Sequence, residues 1–336
     1  MREPSRRPTI RELAALADTS ISTVSLVLNG NWEQNRIAPA TADRVRSIAR
    51  EIGYKPNKQA RALRLSRTSL AGMIVPHYRN RFFAGLIENF EVESRARNLV
   101  PIIASTQRDP AIEEQTAATL IDQQVEVLVI VGVRDPSGIN ALCARHGIRC
   151  VNLDLPGPGA FSVVTDNRGG ARALTGKVLD GLPTDARIVF LGGREDEYAT
   201  DLRVAGFFDT LEAQGRDRSR ARIIRSGFAP RAAREAIEGL SAGEGGFPDA
   251  LVVNSITAFE GFATYWRANR GALSQLRLGC FDWDPFAACL PLTRALLRQD
   301  VEGLSRACFD WYDAGEARLG EVVMISPQVV SEEVPA

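Results

Sequence analysis

Apolar residues recur at helical spacing in the first part of this 336-residue chain and then give way to a different pattern. Between Thr9 and about Leu65 they form short helical groups with no β-rich run, which predicts a small all-helical domain. From Leu70 to Phe281 short β-rich runs alternate with helical stretches. Repeated βα units predict parallel sheets covered by helices, and nearly ten strands predict two similar α/β lobes instead of one sheet.

The helical domain contains the pattern of a helix-turn-helix. Thr9 and Glu12 form a capping box that starts one helix, and Ser20 has the chemistry to cap a second helix from Ile21 to Leu28. In such a motif the first residues of the second helix enter the major groove of DNA. The pattern alone leaves open a helical hairpin that binds no ligand.

Charge is distributed unevenly, although the formal net charge of the chain is zero. Residues 1–67 hold 13 basic and 6 acidic residues, whereas the remainder holds 28 basic and 35 acidic ones. A cationic module joined to an anionic body favours binding of a polyanion by the module. No apolar run is long enough to span a membrane and no secretory signal is present, so we expect a cytoplasmic protein without a membrane partner.

Enzymatic and metal-binding motifs are missing from the sequence. Five cysteines form no CxxC pair and there are only two histidines, so neither a metal site nor a cofactor is expected. The glycine pairs match neither a dinucleotide-binding nor a P-loop pattern, and no nucleophile motif is found. We therefore expect no catalytic residues; an enzyme on an α/β nucleotide-binding fold is the remote alternative.

Ordered motifs along nearly the whole chain resemble the LacI/GalR family of bacterial transcription repressors. They are Thr9-Ile10-Arg11-Glu12-Leu13-Ala14, Ser20 to Gly30, Gly53-Tyr54-Lys55-Pro56-Asn57, Ala60-Arg61-Ala62-Leu63, Asn80, Phe82-Phe83-Ala84, Val164, Asp166-Asn167, Arg203, Gly206-Phe207, Asn254 and Gly279 to Asp282. The resemblance implies a small all-α helix-turn-helix head and an α/β two-lobed core with parallel sheets, similar to periplasmic binding proteins. It also implies a homodimer or higher homo-oligomer.

The implied domain boundaries follow the same motifs. Residues 1–56 form the DNA-binding head, 57–68 a hinge helix and linker, and 69–336 the effector-binding and dimerisation core. One lobe of the core comprises about 69–164 with 296–325, and the other about 165–295 with 326–336.

Double-stranded operator DNA is the implied partner of the head and hinge. The implied DNA-binding residues are Thr9, Ser20, Ile21, Ser22, Thr23, Ser25, Leu26, Asn29, Tyr54, Asn57, Ala60, Arg61 and Leu63. Leu26 replaces an Arg that reads guanine in many members, and leucine can only touch a thymine methyl. The hinge helix, Lys58 to Leu65, is too short to be stable alone, and Leu63 is expected to wedge between bases in the minor groove.

A sugar or sugar phosphate bound between the lobes is the implied effector. The implied effector-binding residues are Arg81, Phe82, Asp154, Arg203, Asn254, Asp282 and Trp283. Arg203 and Asp282 would hold vicinal hydroxyls or a phosphate by charge-assisted hydrogen bonds. Arg81 replaces a frequent Pro and would suit an anionic sugar.

The loop from Asn31 to Ile37 resembles the fructose and sucrose repressor branch, which favours a fructose-related effector. Repression is the expected sign of regulation. A co-repressor-dependent or activating regulator of the same family is the alternative.

Overall fold

A computed structural model describes residues 8–54, 68–242 and 246–331 of the chain. It divides into two compact units, Met1–Thr68 and Ser69–Ala336. The predicted hinge helix and the predicted DNA contacts of Asn57, Ala60, Arg61 and Leu63 lie outside the described residues.

Residues 8–54, the described part of the first unit apart from Thr68, form three helices, α1 (Ile10–Leu16), α2 (Ile21–Leu28) and α3 (Pro39–Glu51). The predicted capping box is present: the Glu12 amide donates to Thr9 Oγ1 at 3.3 Å, and the Thr9 amide donates to Glu12 Oε2 at 2.7 Å. Ser20 Oγ accepts the Thr23 amide at 3.0 Å, which confirms the start predicted for α2. Apolar side chains from all three helices form one small core.

The second unit contains two lobes of alternating strands and helices, as predicted. The first lobe comprises β1 (Leu70–Val75), α4 (Arg81–Ala96), β2 (Val100–Ser105), α5 (Pro110–Asp122), β3 (Val127–Val131), α6 (Ser137–Arg145), β4 (Arg149–Leu153) and β5 (Phe161–Thr165). The second lobe comprises α7 (Asn167–Leu179), β6 (Ile188–Leu191), α8 (Tyr198–Ala213), β7 (Ala221–Ile224), α9 (Pro230–Ala242), β8 (Ala250–Val253), α10 (Ile256–Ala268), β9 (Arg277–Cys280), α11 (Pro285–Ala288) and β10 (Thr293–Arg298). The chain then returns to the first lobe with α12 (Val301–Ala314) and β11 (Val322–Ile325), and ends in the second lobe with β12 (Gln328–Ser331).

Each lobe is built on a sheet of the same topology. The first sheet has the strand order β11-β5-β4-β3-β1-β2 and the second β12-β10-β9-β8-β6-β7. All pairs are parallel except β10 and β12. The strand order reverses beside β1 in one sheet and beside β6 in the other, and open sheets of this kind bind ligands at the carboxyl ends of their strands.

The crossing from the second lobe back to the first lies later than the sequence boundary at residue 296. β10 pairs with β9 and β12 and extends to Arg298. Leu296 and Leu297 are buried in the cores of the second lobe, which keeps this segment there. The strands of the second lobe therefore extend to Arg298, about three residues past the expected boundary near residue 296, and the chain crosses at Gln299 and Asp300.

Close packing of α7 on α8 depends on Gly206. A Cβ added to Gly206 would lie 2.2 Å from the backbone oxygen of Arg168, so the helices would have to separate. We expect Gly206→Ala to lower the free energy of unfolding by about 2 kcal/mol. The matched control is Gly176→Ala on α7, where an added Cβ meets nothing within 4 Å and should stabilise the helix by about 1 kcal/mol. Urea unfolding followed by circular dichroism measures both, and equal effects would contradict this account of the packing.

Candidate functional site

The exposed face of α2 begins at Ile21 and Ser22, the two residues after its cap. Ile21 is 45% exposed, which is unusual for an isoleucine, and Ser22 is exposed as well. Val24 and Val27 are buried and fix the helix on the head core. The structure therefore presents the start of α2 to solvent, where the sequence placed the DNA contacts.

Several other predicted DNA-binding residues have a local structural role. Ser20 and Thr23 form the cap and their hydroxyl oxygens lie 2.9 Å apart. Asn29 Nδ2 donates to the Ser25 carbonyl at 2.7 Å and ends α2. Thr9 caps α1, and Tyr54 packs on the head core, where burial raises the pKa of its phenol. Leu26 is half-buried beside them.

The loop from Asn31 to Ile37 is fixed to the head by Trp32, which is not among the predicted site residues. Trp32 is half-buried against the head core, and the Arg46 guanidinium lies 5.5 Å from its ring centroid. The Ile37 amide donates to the Trp32 carbonyl at 3.0 Å and closes the loop.

Between the lobes, the carboxyl ends of the strands bring predicted effector residues together around Arg203. This side chain comes from α8, is 6% exposed, and lies 3.6 Å above the Phe281 ring centroid. Its Nε donates to Asn167 Oδ1 at 2.8 Å and its Nη1 to the Asn254 carbonyl at 2.6 Å. Burial lowers the pKa of Arg203, while the carboxylates of Asp282 and Asp154 oppose that shift.

Asp282 follows β9 and belongs to a chain of hydrogen bonds that joins the two lobes. Its Oδ2 accepts the Ile256 amide at 3.0 Å, and its Oδ1 accepts Gln299 Nε2 at 2.8 Å. Gln299 Oε1 in turn accepts the hydroxyl of Thr165, the last residue of β5, at 2.6 Å. Burial raises the pKa of Asp282, and the charge of Arg203 opposes this. Each carboxylate oxygen of Asp282 therefore already accepts one hydrogen bond within the protein.

Asp154 follows β4 and faces Arg203 from the first lobe. It is 8% exposed and has a φ of +76°, a left-handed conformation that Asp and Asn tolerate better than most residues. No described residue donates a hydrogen bond to its carboxylate. Burial raises the pKa of Asp154 to about 6, against the lowering influence of Arg203 and Arg108. The group is therefore mainly ionised at neutral pH and lacks a donor.

Asn254 follows β8 and is fully buried. Neither its Oδ1 nor its Nδ2 has a hydrogen-bond partner among the described residues. The backbone comes close here, because a Cβ added to Gly193 would lie 2.9 Å from Asn254 Nδ2. An unpaired buried polar group costs about 1–3 kcal/mol, so this amide is suited to a ligand that both donates and accepts.

The remaining predicted effector residues line the edge of this arrangement. Arg81 is paired with Asp284, with 2.6 Å between Nε and Oδ2. Trp283 is half-buried under the Arg298 guanidinium, which lies 4.3 Å from its ring centroid, and Phe82 packs on the core of the first lobe. Arg81, which was expected to suit an anionic sugar, therefore already has a carboxylate partner.

Five polar residues around Arg203, Asp154 and Asp282 were not among the predicted effector residues. They are Arg108, Thr165, Asn167, Glu197 and Gln299. Thr165 and Gln299 lie at or just after the carboxyl ends of β5 and β10, where the strand-end rule could have found them.

Comparisons with known proteins decide the family. A family model described as "Bacterial regulatory proteins, lacI family" matches residues 9–57. The ribitol operon repressor of Klebsiella aerogenes is 43% identical over 193 residues, which span 56% of this chain and 72% of the relative. The chain belongs to the LacI family. It is therefore a DNA-binding transcriptional regulator, as the sequence predicted.

Other relatives of this LacI-family member cover nearly its full length. The sucrose operon repressor of Klebsiella pneumoniae is 28% identical over 308 residues, 91% of each chain. The lac repressor dimer bound to operator and the anti-inducer ONPF superposes with a TM-score of 0.81 at 18% identity, covering 97% of this chain and 98% of that one. Cra of Pseudomonas putida in complex with fructose 1-phosphate gives a TM-score of 0.70 at 22% identity, covering 79% and 99%. These two structures confirm the predicted fold.

Neither a membrane helix nor a metal cluster occurs in residues 8–54, 68–242 and 246–331. No helix there is long and apolar enough to cross a bilayer. No three His, Cys, Asp or Glu side chains in those ranges are grouped to hold a metal ion.

Proposed function

We propose that this LacI-family regulator is a cytoplasmic, non-enzymatic repressor that is released from its operator by a small polyhydroxyl effector bound between the lobes. A homodimer binds an approximately palindromic operator through α2 and the predicted hinge. Arg203, Asn254 and Asp154 bind the effector, while Asp282 has a structural role and accepts hydrogen bonds from Ile256 and Gln299. The sucrose and ribitol repressors among the relatives and the sugar phosphate held by Cra support an effector of this class.

The unpaired amide of Asn254 is the observation that carries the proposal. A buried donor and acceptor without partners lie beside the Arg203 guanidinium, whose Nη2 makes no hydrogen bond to a described residue. A sugar hydroxyl donates and accepts at the same atom, so several hydroxyls satisfy these groups together.

Effector binding changes DNA affinity only if the effector prefers one arrangement of the lobes. Asp154 belongs to the first lobe, whereas Arg203 and Asn254 belong to the second. A ligand held by both lobes therefore favours the arrangement in which they approach. We propose that this arrangement is incompatible with tight operator binding.

Operator release by the effector is the direct test. DNA selected from a random pool by the full-length protein should contain a palindrome, and a neutral sugar or polyol should raise the half-saturating protein concentration at least about tenfold, measured by fluorescence anisotropy. Asn254→Leu should abolish this response and leave operator affinity without effector unchanged. It should also raise the thermal midpoint of the core, because leucine replaces an unpaired amide.

Three outcomes would contradict parts of the proposal. If Asn254→Leu releases DNA at the same effector concentration, the site assignment is wrong. If the effector tightens operator binding, the protein is regulated by a co-repressor. Specific binding by a monomer, or by a fragment starting near Leu70, would contradict the assignment of DNA binding to a dimer of heads.

A further inference from the structure

The charges between the lobes have an acidic balance. Three buried carboxylates, those of Asp154, Glu197 and Asp282, act on one buried guanidinium, that of Arg203. Arg108 is a second cation near Asp154 and is only half-buried. A phosphate dianion placed beside Arg203 would add two negative charges to a buried group of three carboxylates and one guanidinium.

Two further cations at the edge of the cleft, Arg81 and Arg108, already have partners. Arg81 is paired with Asp284, and its guanidinium is 57% exposed to water. Arg108 donates from Nη1 to the Gly132 carbonyl at 3.2 Å and lies 5.4 Å from the ring centroid of Phe228 in the opposite lobe. Arg81 and Arg108 therefore already have acceptor partners within the protein.

The hydrogen-bonding groups of Asp154 and Asn254 also disfavour a phosphate. Asp154 offers only acceptor oxygens at neutral pH, and Asn254 Oδ1 is a second acceptor without a donor. A hydroxyl group supplies the missing donors, whereas a phosphate dianion supplies none. A buried acceptor that is left without a donor opposes ligand binding strongly. For the same reason, sites built to hydrogen-bond a group of their ligand reject analogues that lack this group.

We propose that the effector is an uncharged polyol or sugar, that the cleft rejects the phosphate esters of that compound, and that Asp154 is the residue responsible for this rejection. The inference rests on the proposed function, because it assumes that the effector binds between the lobes. It makes Asp154 a specificity-determining residue. Asp282 is less suited to this role, since each of its oxygens already accepts a hydrogen bond, from Ile256 and from Gln299. Glu197 accepts the Thr200 hydroxyl at 2.5 Å.

Paired ligands test the proposal on the full-length protein. The probes are ribitol and ribitol 5-phosphate, fructose and fructose 1-phosphate, and sucrose and sucrose 6-phosphate, titrated by isothermal calorimetry at pH 7.5. We expect one uncharged compound to bind and its own ester to bind at least about a hundredfold more weakly. A phosphate ester that binds more tightly than its parent compound would overturn the inference and leave the effector site of the proposed function intact.

Asp154→Asn identifies the residue responsible. Asparagine keeps the shape, tolerates the positive φ, removes the charge and adds a donor. We expect the affinity ratio of uncharged compound to ester to fall at least about tenfold in this variant. The control is Glu235→Gln, which makes the same charge change at an exposed pair with Arg231 on α9 and should leave the ratio unchanged.

The outcomes distinguish the role of Asp154 from the effector site of the proposed function. An unchanged ratio in Asp154→Asn would overturn the role of Asp154. A circular dichroism spectrum and thermal midpoint close to those of the unaltered protein establish that the variant is folded. Failure of all six probes to bind would count against the effector part of the proposed function itself, and with it against the charge selectivity.

Discussion

Arg203→Met is expected to abolish the effector response and to lower the free energy of unfolding of the core by about 3–5 kcal/mol. The guanidinium contributes two hydrogen bonds and faces the Asp154 and Asp282 carboxylates, all in a buried site. Methionine fills part of the volume but leaves these carboxylates without their cation. Removing one member of a buried charge pair lowers the free energy of unfolding far more than removing an exposed contact does.

The loss should depend on pH in a defined direction. Without Arg203, the pKa values of Asp154 and Asp282 rise further above their ordinary range, so the folded variant binds protons more readily than the unfolded chain. Acidification therefore stabilises the variant relative to the unaltered protein. Urea unfolding should show a larger difference at pH 7.5 than at pH 5.

A matched variant separates this effect from the loss of any arginine. Arg298 also stacks on an aromatic ring, that of Trp283, but is exposed. Arg298→Met should cost less than about 1 kcal/mol. The account of Arg203 is wrong if both variants unfold at the same urea concentration, or if the difference caused by Arg203→Met grows at low pH.

Ser22→Asp is expected to weaken operator binding at least about a hundredfold without destabilising the head. Ser22 is exposed in the first turn of α2, the turn expected to enter the major groove. A carboxylate there favours the helix, because it lies near the positive end of the helix dipole, but it meets the negative charge of DNA. Folding and DNA binding should therefore change independently.

Ser47→Asp provides the control for net charge, since Ser47 is exposed on α3 of the same head. Fluorescence anisotropy over a series of salt concentrations should show a much smaller loss for this variant. Equal losses would mean that α2 has no special position on DNA. A lower thermal midpoint for Ser22→Asp would mean that its effect on binding comes from unfolding.

The sequence predicted best those elements that local interactions determine. The caps at Thr9 and Ser20 involve residues three positions away, and both are present as predicted. The regular alternation from Leu70 to Phe281 likewise predicted the lobes. Beyond Phe281 the sequence pattern predicted no strands or helices, and it is there that the chain completes both sheets in turn, with β12 antiparallel at an edge.

Partners within the candidate site were not predictable in this way. Arg203 contacts Asn254 across 51 positions, and Arg81 meets Asp284 across the two lobes. Family motifs indicated Arg203 and Asn254 as ligand contacts, and Arg81 was added because it departs from the motif, but the sequence did not reveal that Asp284 is already its partner. The same motifs placed the return to the first lobe at residue 296, whereas the burial of Leu297 holds that segment in the second lobe.

The return of the chain to the first lobe also determines the order in which the protein can fold during synthesis. Leu304, Phe309 and Trp311 of α12 are buried in the core of the first lobe, and β11 completes its sheet. The first lobe therefore stays incomplete on the ribosome until residues up to about Ile325 have emerged. The strands β6 to β10 and their helices form an uninterrupted segment that is released earlier. Both lobes can thus assemble most of their cores during synthesis, but neither is complete until its C-terminal pieces emerge, α12 and β11 for the first lobe and β12 for the second.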